Sequence, residues 1–125
     1  MNEQKQRDMK REIKFRALYD SIWYYQTLDE MLMTTLAAFR LGKYKTQFTG
    51  LKDKNGKEIY EGDIILFKDY SQSVEKPPTF ITSIFWWDEF AGFSVKNTHG
   101  ELNFMTCDDM EVIGNIYENP ELNKE

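Results

Sequence analysis

The chain has 125 residues, enough to bury one substantial core, and a formal charge of −5 that hides an asymmetry. Residues 1 to 68 carry 13 Lys/Arg against 10 Asp/Glu, whereas residues 69 to 125 carry 3 against 11. An acidic second half repels phosphate, so tight nucleic-acid binding by counterion release would rest on the first half alone.

One cysteine, Cys107, excludes an intramolecular disulfide and suits a reducing cytoplasm. The first ten residues are polar and charged, and nowhere do the roughly 18 apolar residues of a membrane span run together. These features predict a soluble, cytoplasmic protein with no membrane contact.

In chain order, residues 1 to 10 read as a polar tail with nothing to bury. From Glu12 to Leu18 the chain alternates, with Ile13, Phe15 and Ala17 on one face against Lys14 and Arg16 on the other, as in a half-buried strand. Thr27-Leu28-Asp29-Glu30 has capping-box spacing, and Leu28, Leu32, Leu36 and Phe39 recur at helical intervals up to Gly42. This predicts one helix over about 28–41. Met31, Met33, Ala37 and Leu41 extend its apolar surface beyond a single stripe, so it must be covered on more than one side. Either the N-terminal strand with Trp23-Tyr24-Tyr25 covers the remainder, or a second chain does.

From Lys45 onward the pattern is β. Lys45 to Thr49 and Glu58 to Tyr60 flank Asn55-Gly56, a pair that favours a type I′ hairpin. Gly62-Asp63 turns the chain into Ile64-Ile65-Leu66-Phe67, and residues 69 to 78 form a loop around Pro77-Pro78. Thr79 to Trp87 is the longest strand candidate. Phe93 to Thr98 and Glu101 to Met105 read as a hairpin across His99-Gly100, and Val112 to Tyr117 closes the sheet. Short strands at this spacing favour a small barrel over an open sheet, because closure removes exposed edges.

Catalytic chemistry is poorly provided for. His99, the only histidine, sits in an expected turn. Cys107 lies beside Asp108, Asp109 and Glu111, whose charge raises a thiol pKa and weakens the nucleophile. Neither that cluster nor Asp88-Glu89 has the spacing of a calcium loop, and zinc needs more His and Cys than the chain contains. No helix starts after Gly50, Gly56 or Gly62 to receive a phosphate. No enzyme activity, cofactor or metal is expected. The aromatic run is more suggestive: Trp86 and Trp87, adjacent on a strand, point to opposite faces, and with Phe90 they offer a candidate partner-binding patch if one indole is left outside the core.

Three motifs in order, Arg11-Glu12-Ile13-Lys14-Phe15-Arg16-Ala17, the run from Phe48 to Phe67, and Val112-Ile113-Gly114-Asn115-Ile116-Tyr117-Glu118-Asn119-Pro120, give a chain that resembles the YopX family of phage and prophage proteins. Leu18 stands where the family usually has Trp, and residues 20 to 45 fall outside the likeness. The resemblance implies a small SH3-type barrel and a phage setting, and it implies no mechanism.

The expected architecture is therefore a mainly β single domain: a disordered tail at 1–10, an N-terminal strand and one α-helix within 11–43, an SH3-like barrel at 44–117 and an open tail at 118–125. The expected role is that of a non-enzymatic accessory protein in the bacterial host cell. It binds itself as a homo-oligomer through Met31, Met33, Ala37 and Leu41, or binds a host or phage protein. The alternative is nucleic-acid association through the basic residues Lys5, Arg7, Lys10, Arg11, Lys14 and Arg16, weak at most.

Overall fold

The computed structural model describes residues 12–68, 75–76, 78–89, 91–95 and 109–122. The chain divides into two compact units, Met1–Gly50 and Leu51–Glu125. The protein is mainly β. Among the described residues its strands form two antiparallel sheets in place of the expected closed barrel, with strand orders β2-β1-β3-β4 and β7-β6-β5-β8.

The first unit opens with β1 (Lys14–Tyr19) and β2 (Ile22–Thr27), a hairpin closed by the pair Tyr19 and Ile22. The two residues between them, Asp20 and Ser21, have φ of 53° and 66°. Positive φ at both positions is what a type I′ turn requires, and its twist matches that of the flanking strands. The other edge of β1 pairs with β3 (Lys43–Lys52). Between Arg16 and Leu18 the register slips by one residue on β3, and Tyr44 sits there at φ 54°. That is a β-bulge with one left-handed residue.

The expected single helix over 28–41 is two short ones, α1 (Leu28–Met33) and α2 (Ala37–Leu41). The capping box does form: the Thr27 hydroxyl accepts from the Glu30 N–H at 3.1 Å, and Glu30 Oε1 accepts from the Thr27 N–H at 2.8 Å. The break has a side-chain cause. Thr34 is extended at φ −156°, and Gln26 of β2 reaches across to hold both ends of the link. Its Nε2 donates to the Thr34 carbonyl at 2.9 Å, and its Oε1 accepts from the Leu36 N–H at 3.1 Å. Thr35 turns its hydroxyl back onto the Met31 carbonyl at 2.9 Å, a bond that competes with continued helix. Periodicity alone does not register these three polar bonds.

In the second unit, β4 (Glu58–Tyr60), β5 (Asp63–Lys68) and β6 (Thr79–Trp87) follow the expected strands closely. β7 spans Gly92–Val95 and β8 spans Glu111–Asn115. The rest of the hairpin expected across His99-Gly100 lies outside the described residues. Ile59, Ile65, Phe67, Ile84, Phe93, Val95 and Met110 form the core cluster, with Leu51 and Val112 packed against it. The type I′ expectation at Asn55-Gly56 is corrected: Gly56 alone has positive φ, 80°, and its N–H donates to the Asp53 carbonyl at 2.9 Å. A tight turn followed by a left-handed glycine is the three-residue hairpin loop, not the two-residue one. Beyond β8, the open tail expected from residue 118 is also corrected, because Glu118 and Asn119 fold back onto Asn115 and Pro120–Leu122 form a 3-10 turn.

Candidate functional site

Buried or half-buried polar residues of the second and third motifs hold turns. Asp53 is buried at the base of the hairpin loop, where Oδ1 accepts from the N–H groups of Asn55 and Lys57 and Oδ2 accepts from that of Val112, each at 2.9 Å. Burial pushes its carboxyl pKa up, but the three backbone donors, from Val112, Lys57 and Asn55, and the nearby Lys57 charge more than offset this, leaving it below the ordinary aspartate value. Lys54 completes the attachment: its N–H donates to the Met110 carbonyl and its ammonium lies 3.5 Å from Glu111. Asp63, also buried, accepts from the Tyr60 N–H at 2.7 Å. Asn115 Oδ1 accepts from the N–H groups of Tyr117 and Glu118. Gly62 has φ 90°, and a Cβ there would fall 2.6 Å from the Tyr117 ring. The neighbouring Glu61 is half-buried, and that burial raises its carboxyl pKa. Among the described residues no group of three or more His, Cys, Asp and Glu is placed to hold a metal ion. Cys107, Asp108 and His99 lie outside those residues.

The basic stripe of β1 is not laid open. Arg16 is only 4% exposed. Its guanidinium lies 4.1 Å from the Trp23 ring centroid, and its Nε donates to the Thr46 hydroxyl at 3.1 Å. Arg16 pairs with Thr46 across β1 and β3, so the cation, the indole and the hydroxyl share one face of the sheet. One pair along, the Lys14 ammonium sits 5.6 Å from the Phe48 ring and 3.7 Å from Glu12. Burial of a guanidinium against an aromatic face and a hydroxyl is the packing to which Arg is suited. Alternation correctly separated Lys14 and Arg16 from Phe15 and Ala17, but it did not reveal that the second face is covered too. Lys5, Arg7, Lys10 and Arg11 lie outside the described residues.

Exposed apolar surface gathers on the helical segment. No residue of α1 is buried. Leu32 and Met33 are 76% and 85% exposed and Leu41 is 60% exposed, with Leu28, Leu36 and Ala37 also open to solvent. Of the four residues expected to mediate self-association, Met33, Ala37 and Leu41 are exposed and Met31 is half-buried. Only Ala38 and Phe39 of α2 face inward. Ile22 and Tyr25 of β2 are open as well, although Tyr25 belongs to the aromatic run expected to help cover the helix. The signal for β2 was the β-branched and aromatic run Ile22-Trp23-Tyr24-Tyr25 directly after the Asp20-Ser21 pair.

The aromatic pair divides as alternation requires. Trp86 pairs with Phe93 across β6 and β7 and meets its ring edge-on at 5.1 Å, which places it at the margin of the core with 42% exposure. Trp87 lies on the other face, half-buried and stacked on Phe85 at 6.2 Å. Each indole thus has an aromatic neighbour. Phe90, the third residue of the expected patch, lies outside the described residues.

The comparisons with known proteins accord with this architecture. The family model described as YopX protein matches residues 1–124. The chain belongs to the YopX family. Among solved structures, the chain is similar to protein EF1440 from Enterococcus faecalis, with 24% identity, a TM-score of 0.50, and coverage of 90% of this chain and 98% of that one. At that identity the likeness speaks for the fold alone. No curated protein matches significantly. Among the described residues no helix is long and apolar enough to cross a membrane.

Proposed function

We propose that this YopX-family chain is a non-enzymatic phage or prophage accessory protein of the bacterial cytoplasm that acts by binding protein, its own copy included. The observation carrying this reading is the helical segment 28–41, whose α1 buries none of its residues while Leu32, Met33 and Leu41 stand largely in water. Large apolar side chains held contiguously in solvent mark an interaction surface, because their removal from water is the strongest favourable term in association. Trp86, at the edge of the β6-β7 core, is a secondary candidate contact for a host or phage partner.

Nucleic-acid association ranks below protein binding. A phosphate contact by Arg16 requires removing it from Trp23 and Thr46, and Lys14 is already set against Phe48 and Glu12. The test is the mass in solution by light scattering over a dilution series. A mass above the 14.9 kDa of one chain is expected, with Met33→Glu or Ala37→Glu reducing it to one chain while the circular dichroism spectrum is unchanged. A single-chain mass at every concentration would count against self-association.

A further inference from the structure

Resting on that self-association, we infer that two copies pair about a two-fold axis, with segment 28–45 of one copy running antiparallel to the same segment of the other. The charge pattern of the segment is the ground for this. Asp29 and Glu30, both exposed, occupy the first turn of α1. Arg40, in the last turn of α2, and Lys43 and Lys45, at the start of β3, are exposed at the other end. From Met31 to Phe39 there is no charged residue, and that interval holds the exposed Leu32, Met33 and Leu36.

The surface therefore reads acidic, apolar, basic along the chain. Laid parallel on itself, such a segment sets like charges together at both ends, which is destabilising. Laid antiparallel, it opposes Asp29 and Glu30 of each copy to Arg40, Lys43 and Lys45 of the other, with the apolar centres meeting in between. A second copy carries this complement by construction, and a two-fold contact uses the same patch on both chains and closes at the dimer. Complementary charge at the rim of an apolar patch chiefly fixes orientation and partner. Glu30 also holds the Thr27 N–H, so Asp29 is the acidic residue to alter without undoing the cap.

The experiment is sedimentation velocity on the full chain and two variants, Asp29→Lys and the double variant Arg40→Glu/Lys43→Glu, with circular dichroism confirming that each is folded. Each variant alone should dissociate at roughly tenfold higher concentration than the wild type. An equimolar mixture of the two should recover part of the lost association, because the intact Arg40, Lys43 and Lys45 of the first variant then face the intact Asp29 and Glu30 of the second. A wild-type chain that remains monomeric throughout removes the self-association reading and this inference with it. A wild-type dimer whose charge variants associate normally, or are weakened without recovery on mixing, leaves self-association standing and overturns the antiparallel arrangement alone.

Discussion

Replacing Asp53 with Asn exchanges one carboxylate oxygen for an NH2 group and separates its roles. In the native loop Oδ1 takes the N–H groups of Asn55 and Lys57, and Oδ2 takes that of Val112. The amide oxygen of Asn serves the first two, but its NH2 then faces the Val112 N–H, donor against donor. One charge-assisted bond is lost, and a half-buried donor goes unsatisfied at the entry to β8. Bonds to charged groups contribute about 1.5–3 kcal/mol, so the variant should be less stable by about that amount. Asp53→Ala, which removes all three acceptor contacts, should lose about 2–4 kcal/mol, since the two N–H groups in the exposed turn recover water. Urea denaturation followed by tryptophan fluorescence measures both, with Trp86 and Trp87 reporting on the same unit. The pH dependence gives an independent reading. Because the folded pKa is depressed, the contribution of Asp53 is fully present above the unfolded value of about 4 and is lost as pH falls through the folded pKa. The gap between wild type and Asn variant should therefore narrow in acid. An Asn variant within about 0.5 kcal/mol of wild type at neutral pH, or a gap independent of pH, would refute the claim that this carboxylate staples the loop to β8.

Two further outcomes follow from the geometry. Gly56→Val and Gly62→Val both place a side chain at positive φ, which costs about 1–3 kcal/mol, but only Gly62 faces a clash, with the Tyr117 ring; denaturation midpoints should fall further for Gly62, and Tyr117→Ala should recover part of that loss and none of the loss at Gly56. Arg16→Met should lower stability without altering nucleic-acid affinity, and a fluorescence-anisotropy titration in which submicromolar binding at physiological salt is lost in this variant would reinstate the nucleic-acid reading.

Much of the second unit was legible because its strands are bounded by residues with local meaning. Glu58–Tyr60 and Thr79–Trp87 begin and end where the alternation and the turn residues place them. The first unit was harder to read, since its structure turns on contacts between residues far apart in sequence. Gln26 interrupts a helix that residues 28 to 41 by themselves encode well, and Thr46 with Trp23 buries an arginine that alternation assigns to solvent. The exposed surface was legible in part: surplus apolar residues predicted that the helix needs cover on more than one side, by the N-terminal strand and Trp23-Tyr24-Tyr25 or by a second chain, and Met33 and Leu41 stand exposed. Sheet closure was not legible, because strand count and spacing are compatible with both a barrel and two sheets. Nor did Asn55-Gly56 disclose its turn type, which Asp53 decides by taking the Asn55 and Lys57 N–H groups for itself.

The central claim, that segment 28–41 is where this protein binds its own copy, is tested most directly by hydrogen–deuterium exchange with mass spectrometry across a dilution series. No residue of α1 is buried, so its amides should exchange fast in dilute solution and slow progressively as concentration rises, while exchange in the Asp53–Lys57 loop stays constant. Exchange of 28–41 that is independent of concentration, or protection that grows instead around Trp86 and Trp87, would contradict it.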